Sequence, residues 1–294
     1  MLRGLYSAAS GMFSLERRQE TLSNNLANAQ TPGFKKDDTV MRAFPKLLVE
    51  RIRDYNETIP GANGLTIPGQ GVPVGELANG VYAQERIPSF LQGALVQTDQ
   101  PLDIAIDDQN IPLQVVNGRT VKPTAFFAVE LPDGSVGYTR NGKWDLDSNG
   151  NLVTSDGYKI LGADHKPIQV TSGVSKDDLY IDADGQLIAN PNDAANARQV
   201  GKIGMVVVQN PYDLTRQGGN VYKSENPLPF IQDAGGTNPG VTLHQGYVEQ
   251  SNVDPGQTMA DMMMTVRAYE ANQKVVSVYN QSLEQLYSVG KING

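Results

Sequence analysis

The sequence predicts an α+β protein in which long helices at both ends of the chain frame an inserted, mainly antiparallel β domain. Apolar residues recur at helical spacing within residues 1–35 and again from residue 259 onward. Between these regions the apolar period becomes that of strands, and Asx-Gly pairs typical of hairpin turns separate the segments. We therefore predict a helical domain from residues 1–35 and 250–294, a Gly/Pro-rich connector at 36–88, a β domain at 89–225 and a return linker at 226–249.

The N-terminal helix is predicted from an apolar stripe of the heptad type. Its members follow one another at alternating steps of four and three, and only Gln19 interrupts them: Met1, Leu5, Ala8, Met12, Leu15, Leu22, Leu26 and Ala29. Such a stripe is typical of a helix that packs against another helix. Thr31, Pro32 and Gly33 should end it, because proline disfavours helical geometry in the residue before it and glycine permits the exit turn.

Three asparagines, Asn24, Asn25 and Asn28, stand near the end of this predicted helix. Asparagine is a poor residue for a helix interior, because its amide competes for nearby backbone groups. Two explanations stay open. The asparagines lie at a fraying helix end, where they cost little, or their amides form hydrogen bonds between packed helices, where each amide can both donate and accept.

The C-terminal helix is predicted to carry the matching apolar face, which Gln273 and Asn280 interrupt. The face holds Met262, Val266, Tyr269, Val276, Leu283 and Leu286. At about 1.5 Å per residue, thirty residues of helix extend roughly 45 Å, and a single pair of such helices leaves much of each stripe uncovered. We therefore expect the two ends to form a coiled-coil-like pair that neighbouring copies cover.

The region between the helices contains several weaker patterns. A short helix is predicted after Pro45 within residues 43–52, and an extended Gly/Pro-rich loop at 59–74. Strands are predicted at residues 102–106, where large apolar residues alternate with smaller or polar ones, and at 203–208. Hairpin turns are predicted at residues 132–134, 141–142, 149–150, 156–157 and 184–185.

The loop from Asp145 to Asp156 is the clearest candidate for chemistry. Oxygen-bearing side chains at its first, third and fifth places and a glycine at its sixth match much of a calcium-binding EF-hand loop. However, its last position holds aspartate in place of the usual bidentate glutamate, and strands are predicted on both sides. A β-hairpin turn explains the same residues, and calcium binding is the alternative.

Composition excludes several function classes. The chain has 24 Lys and Arg against 32 Asp and Glu, a net charge of −8, which argues against nucleic acid as a partner. It has no cysteine and two distant histidines, His165 and His244, so we expect no metal site and no cofactor. Neither a membrane span nor a cleaved secretory signal is apparent. We predict no catalytic residue, and interpret the acidic pair Asp107 and Asp108 as solvated charge.

Both ends of the chain resemble the flagellar basal-body rod and hook (axial) proteins. Residues 23–28, Ser-Asn-Asn-Leu-Ala-Asn, followed by 31–35, Thr-Pro-Gly-Phe-Lys, are similar to the amino-terminal signature of that family. Residues 246–254 and 267–274 are similar to its carboxyl-terminal motifs. Two terminal signatures in the right order are far more specific than one short motif.

The middle of the chain carries further segments similar to the same family, at residues 92–95, 102–106, 138–142, 146–153 and 218–222. One departure is an additional stretch at residues 107–124, where the family usually runs almost directly from one strand into the next. A second is Trp144, which stands where phenylalanine is common. The resemblance therefore spans nearly the whole chain.

This resemblance implies a non-enzymatic structural subunit of the flagellar rod, exported by the flagellum's own apparatus without a cleaved signal peptide. It implies as partners the export apparatus, copies of the chain and other rod and hook proteins. Assembly into a helical, torque-transmitting shaft is expected through Leu5, Met12, Leu15, Leu22, Asn24, Asn25, Leu26, Asn28, Thr31, Pro32, Gly33, Met262, Val266, Tyr269, Val276, Leu283 and Leu286. The alternatives are a hook subunit and a carbohydrate-active enzyme of the cell wall.

Overall fold

A computed structural model describes residues 2–45, 47–51, 72–77, 80–116, 118–170, 174–191, 197–218, 220–231 and 240–292. The chain forms two compact units, each built from separate stretches of sequence. Unit 1 comprises Met1–Ser23, Asp38–Ile87 and Met259–Gly294, and unit 2 comprises Asn24–Asp37 and Pro88–Thr258. These bounds differ from the predicted domain boundaries, which stay predictions.

A long helix lies near each end of the chain, as predicted: α1, Leu2–Ala27, and α2, Pro255–Ile292. Helix α1 ends before the predicted stop at Thr31, and turns cover the intervening residues. Asp254 caps α2, because its Oδ1 accepts a hydrogen bond from the Gln257 backbone N–H at 3.1 Å. Within the described ranges, neither helix combines the length and hydropathy needed to cross a lipid bilayer.

Small residues of α1 lie against α2 within unit 1. Gly4 contacts the Tyr279 side chain, and a Cβ placed on Gly11 would lie 3.1 Å from Nδ2 of Asn272. Residue numbers rise along α1 as they fall along α2, so the two helices run antiparallel here. The spacing of the two contacts is seven residues on each helix, but the knobs-into-holes packing of a coiled coil stays a prediction.

Two antiparallel ribbons belong mostly to unit 1. In one, β1 (Asp37–Ala43) lies beside β4 (Val81–Pro88), and in the other β2 (Leu47–Arg51) pairs with β3 (Val72–Leu77). The short helix predicted after Pro45 is therefore wrong, because pairing with β3 overrides the weak local helix preference. Most of the predicted loop at 59–74 lies outside the described residues.

Unit 2 contains the antiparallel β structure that the sequence predicts for the middle of the chain. Its main sheet has eight strands, in the order β11-β12-β13-β9-β10-β19-β18, with β17 also paired to β9. The strands are β9 (Thr124–Glu130), β10 (Val136–Thr139), β11 (Trp144–Leu146), β12 (Leu152–Thr154), β13 (Lys159–Ile160), β17 (Met205–Val208), β18 (Thr215–Gly218) and β19 (Val221–Lys223).

Smaller sheets complete unit 2. Three strands pair in the order β14 (Leu179–Ile181), β15 (Gln186–Ala189), β16 (Arg198–Lys202). Three two-stranded ribbons join β5 (Leu95–Gln97) to β21 (Tyr247–Glu249), β6 (Ile104–Asp107) to β20 (Thr242–Gln245), and β7 (Gln114–Val116) to β8 (Arg119–Val121). Strands β20 and β21 thus lie in the segment predicted as a return linker.

Hairpin turns follow the glycine pattern at four of the five predicted positions. Gly134, Gly150, Gly157 and Gly185 have φ values between 77° and 85°, a region that glycine adopts at little cost, and each closes a pair of consecutive strands. The predicted hairpin at Asn141-Gly142 is wrong, since β10 and β11 on either side pair with other strands. Gly142 instead permits close approach of the Ile104 backbone, whose N–H donates to the Gly142 carbonyl at 2.9 Å.

Strand β9 lies at the centre of the core and is buried on both faces. Phe127 belongs to the apolar cluster on one side of the main sheet and Phe126 to the cluster on the other. Burying one such side chain contributes roughly 1.5–3 kcal/mol, which accounts for the continuous apolar run in this strand. Strand β6 is likewise buried at Ile104, Ala105 and Ile106, so the alternation noted in the sequence marks no solvent face.

Candidate functional site

Unit 2 contains a buried ion cluster, which is formed by Lys35, Asp108, Lys122, Arg140 and Glu249. Lys35 follows the exit of α1, Asp108 follows β6, Arg140 follows β10, and Glu249 ends β21. The cluster therefore joins the amino-terminal signature, the middle of the chain and the carboxyl-terminal signature. Four of its side chains are at most 3% exposed, and only Lys122 reaches solvent.

Glu249 is the centre of the cluster, because both oxygens of its carboxylate are hydrogen-bonded. Oε1 accepts from Lys35 Nζ at 2.6 Å and from the Gly93 backbone N–H at 2.8 Å. Oε2 accepts from Arg140 Nε at 2.7 Å. Such charge-assisted hydrogen bonds are shorter and stronger than neutral ones, and they repay part of the cost of burying the charge.

Arg140 extends the cluster to the other acid. Its Nη1 donates to Asp108 Oδ2 and to the Ala125 carbonyl, each at 2.8 Å. Lys122 Nζ lies 3.5 Å from Asp108 Oδ1. Asp108 is therefore a buried ion-pair partner, and its interpretation as solvated charge is wrong.

The cluster changes the proton affinity of its members. Burial and the neighbouring Arg140 guanidinium lower the pKa of Lys35 to about 8, although Glu249 opposes this change. Burial alone would lower the pKa of Arg140 and raise that of Glu249. The attraction between the opposite charges outweighs burial, so the pKa of Arg140 lies above its usual value and the pKa of Glu249 below. The three groups are consequently charged at neutral pH.

The backbone of the amino-terminal signature is bound at the same place. The Gly33 N–H donates to the Glu249 carbonyl at 2.8 Å, and Asn220 Nδ2 donates to the Pro32 carbonyl at 2.8 Å. Gly33 has φ +69°, and a Cβ there would lie 2.5 Å from the carbonyl carbon and oxygen of Arg140. Both the left-handed conformation and this contact require glycine.

Two asparagines form hydrogen bonds with the backbone of Lys36 and Asp37, which follow Lys35. Asn25, which is 3% exposed, donates from Nδ2 to the Asp37 carbonyl at 2.8 Å and accepts from the Asp37 N–H at 2.9 Å. Asn252 accepts from the Lys36 N–H and donates to the Ser89 carbonyl, each at 2.8 Å. The Asn25 amide thus bonds to the start of β1 in its own chain, an arrangement that neither explanation from the sequence included.

The other asparagines of the signature are less enclosed. Asn28 Nδ2 donates to the Asn24 carbonyl at 2.9 Å, and Thr31 Oγ1 donates to Asn28 Oδ1 at 3.3 Å. The Asn24 side chain is exposed. These residues form a local turn, and their predicted part in assembly stays a prediction.

The remaining predicted assembly residues fall into two groups. Most are half-buried: Leu5, Met12, Leu15, Leu22, Leu26, Thr31, Pro32, Met262, Val266, Tyr269 and Val276. Leu283 and Leu286 are exposed, at 41% and 52%. The structure therefore brings Asn25 and Gly33 to the buried site, whereas the apolar residues are spread along the helices.

Sequence reasoning gave no role to the charged members of the cluster. Lys35, Arg140 and Glu249 stand inside the segments that resemble the family, and this was the available signal. Asp108 lies in the additional stretch at 107–124. Its only distinguishing feature in the sequence is the acidic residue before it, which does not indicate burial. Because the four residues are far apart in the chain, only the folded structure shows that their charges meet.

The proposed calcium loop is a hairpin turn between β11 and β12. Asp147 Oδ1 accepts from the backbone N–H groups of Asn149 and Asn151, and its Oδ2 accepts from Asn151 Nδ2. Lys176 forms an ion pair with Asp145. Hydrogen bonds from Asn151 and Lys176 respectively lower the pKa of Asp147 and Asp145. These carboxylates are therefore bonded to groups of the turn and to Lys176. Among the described residues, no acidic or histidine cluster suited to a metal occurs.

The fold and this cluster define a class of protein in which signatures from both ends of the chain are joined to a β domain by buried charges. Three family models match the chain in the same order: the flagella basal body rod protein model at residues 5–35, the flagellar hook protein FlgE/F/G D1 domain at 120–189, and the flagellar basal body rod FlgEFG protein C-terminal model at 244–289.

Similarity to individual proteins extends over nearly the whole chain. FlhO of Bacillus subtilis, a flagellar hook-basal body complex protein, is 34% identical, with 99% of this chain and 100% of the relative covered. The flagellar basal-body rod protein FlgG of Buchnera aphidicola from Acyrthosiphon pisum is 33% identical, with 97% and 99% covered. FlgG of Borreliella burgdorferi is 30% identical, with 96% and 97% covered. The chain belongs to the family of flagellar basal-body rod and hook proteins.

Proposed function

We propose that this chain is a structural subunit of the flagellar basal-body rod and that it polymerises through its terminal helices into a helical, torque-transmitting shaft. Membership of the rod and hook family supports this proposal. Contacts between nonidentical faces of successive copies let such a polymer grow without closing. Copies of the chain and other rod and hook proteins are its partners, and the flagellar export apparatus delivers it.

The observation that carries the proposal is the apolar surface left open on the helices of unit 1. Tyr6 and Phe13, seven residues apart on α1, are 63% and 70% exposed, and Tyr287 on α2 is 74% exposed. Soluble monomers rarely leave such large apolar groups uncovered in rows. In a polymer, these residues become the contacts between copies.

The cell-wall enzyme is less well supported. A glycoside hydrolase needs two carboxyl groups on either side of a substrate. Asp108 and Glu249, the buried acids of the cluster, are hydrogen-bonded to Arg140 instead. The geometry of these two acids therefore favours a structural role in unit 2 over a role in acid–base catalysis.

The test is complementation of a strain that lacks the gene. The full chain and a variant lacking residues 280–292 are each expressed, swimming is measured, and basal bodies are isolated and probed for the protein. We expect the full chain in the rod fraction with swimming restored. The variant keeps the buried cluster but loses exposed apolar residues of α2, so it should be absent from the rod.

A matched control separates loss of assembly from loss of folding. Tyr180→Ser changes an exposed aromatic residue of β14 in unit 2 and should assemble normally. Recovery of the full chain in the hook fraction would instead support the hook alternative. Normal swimming of the strain that lacks the gene and carries no replacement would contradict the proposal.

A further inference from the structure

One face of α2 passes from contact with α1 to complete exposure along its length. Asn272 and Tyr279 contact α1, and Val276 between them is half-buried. From Asn280 to Gly290 every residue is exposed. The inner face of the helix therefore continues beyond the region that α1 covers.

The exposed part of this face is apolar. At 100° per residue, Leu283, Leu286 and Tyr287 lie within roughly 60° of the direction of Asn272. They are 41%, 52% and 74% exposed. Because the same face is already an interface between helices, these residues extend an existing packing surface that their own chain leaves open. We call residues 280–290 the α2 extension.

Unit 1 also contains a groove. Its volume is about 520 Å³, and it lies between α1, strand β4 and Phe44, which follows β1. Phe13, Phe44 and Val81 line it and are 70%, 41% and 36% exposed. Polar side chains line it as well: Ser10, Ser14, Glu16, Arg17 and Glu20. The groove therefore combines exposed apolar side chains with serines and charged groups.

Hydrogen bonds join the two sides of the groove. Ser14 Oγ donates to the Val81 carbonyl at 3.1 Å, and the Val81 N–H donates to Ser10 Oγ at 3.3 Å. These bonds fix strand β4 against α1. A preformed groove loses little conformational entropy when it is filled, which favours binding of a rigid helix.

The α2 extension cannot reach the groove of its own chain. Tyr279 lies level with Gly4, and the antiparallel helices carry Phe13 and Leu286 in opposite directions from that level. At 1.5 Å per residue, the two side chains are about 24 Å apart along the helices. A contact between the α2 extension and this groove therefore requires two copies of the chain.

We propose that the α2 extension of one copy seats Leu283, Leu286 and Tyr287 in the groove lined by Phe13, Phe44 and Val81 of a neighbouring copy. This inference rests on the proposed function and names the contact that performs it. The two surfaces are different, so each copy offers one of each and the contact propagates along an open polymer.

Paired cysteines test the contact, since the chain has no cysteine of its own. Full-length Phe13→Cys and Leu286→Cys chains are expressed together, assembled and oxidised. A disulfide requires Cα atoms within about 7 Å, so a bond within one chain is excluded even for the double variant. We expect a mixed dimer from the two single variants, and a ladder of oligomers from the double variant.

The matched control places the second cysteine on the same segment but on its opposite face. Phe13→Cys with Gln285→Cys should give at least tenfold less mixed dimer, because Gln285 points away from the proposed contact. Equal yields from the two pairs, or no dimer from Leu286→Cys in assembled material, would overturn the inference.

A second measurement covers variants that assemble poorly. A benzoylphenylalanine at position 287 replaces an aromatic residue by a similar one, and illumination of basal bodies should attach it to residues 10–20, Phe44 or residues 81–83 of another copy. Adducts elsewhere in assembled material would refute the groove and leave the rod function standing. Absence of the unaltered full chain from basal bodies would refute the proposed function itself.

Discussion

Glu249 is the residue on which the buried charges of unit 2 depend most directly. It binds two cations and a backbone N–H through one carboxylate. Two buried charges recover their desolvation cost only when each is well paired, and removal of one partner leaves the other uncompensated. Here the loss of one acid would remove the carboxylate partner of Lys35 and leave Arg140 paired with Asp108 alone.

Glu249→Gln is therefore expected to destabilise unit 2 by about 3 kcal/mol at neutral pH. The folded pKa of Glu249 lies below its unfolded value of 4.5, so its contribution is present above that value and is lost as the pH falls through the folded pKa. The stability difference between the two proteins should shrink in acid. Denaturant titrations followed by Trp144 fluorescence at several pH values measure it.

An exposed ion pair provides the control for this substitution. Glu130 lies 3.6 Å from Lys159, and both side chains are more than a third exposed. Glu130→Gln should cost less than about 1 kcal/mol. Equal effects of the two substitutions would show that the buried cluster contributes no more than a surface pair.

Gly33 tests the close packing of the amino-terminal signature. Gly33→Ala places a Cβ on a residue with left-handed backbone geometry and also brings that Cβ against the Arg140 backbone. Gly134→Ala has the same left-handed geometry, but its added Cβ meets no neighbouring atom within 4 Å. The left-handed conformation costs roughly 1–2 kcal/mol, so Gly33→Ala should exceed Gly134→Ala in lost stability. Similar values from urea unfolding would contradict the packing argument.

At the scale of elements, the additional stretch at 107–124 has two parts with different roles. Asp108 and Ile111 are buried, the first in the ion cluster and the second in the core. Leu113, just before β7, and Val115, within β7, are 66% and 73% exposed. The base of this insertion therefore belongs to the domain interior, and its ribbon to the surface.

Shortening the ribbon should leave the stability of unit 2 nearly unchanged. Gln114 pairs directly with Val121, so an Asn-Gly turn can replace residues 115–120. We expect a change within about 1 kcal/mol, because the deleted residues contribute little to the core. In contrast, Asp108→Asn should cost several times more, since Arg140 loses one of its partners. Trp144 fluorescence in denaturant compares the two variants, and a large loss from the shortened ribbon would contradict this division.

At the scale of the whole molecule, the two units differ in how much apolar surface they bury. Both apolar clusters of the described residues lie in unit 2. Unit 1 exposes Tyr6, Phe13 and Tyr287. Stability of a region follows its buried contacts, so the free protein should lose unit 1 first.

This difference predicts two transitions on chemical denaturation. Helices α1 and α2, of 26 and 38 residues, dominate the circular dichroism at 222 nm, whereas the single tryptophan, Trp144, reports on the core of unit 2. The helix signal should disappear at lower denaturant concentration than the native fluorescence. Glu249→Gln should move only the fluorescence transition. Coincident transitions would indicate a single cooperative unit.

The sequence by itself determined the local structure wherever the deciding force is local. Apolar periodicity predicted both long helices, and the glycines at positions 134, 150, 157 and 185 predicted the turns in which φ is positive. These features depend on residues a few positions apart, so they can be predicted from a single sequence. The family resemblance likewise followed from short contiguous segments.

Only the tertiary structure decided what depends on residues distant in the chain. The strand at residues 47–51 exists because β3 pairs with it, and the Asn141-Gly142 pair accommodates Ile104 where the sequence suggested a hairpin. The charges of Lys35, Asp108, Arg140 and Glu249 acquire their partners only when three regions of the chain fold together. The free energy of a buried charge is set by its neighbours in space, and neighbours in sequence do not reveal them.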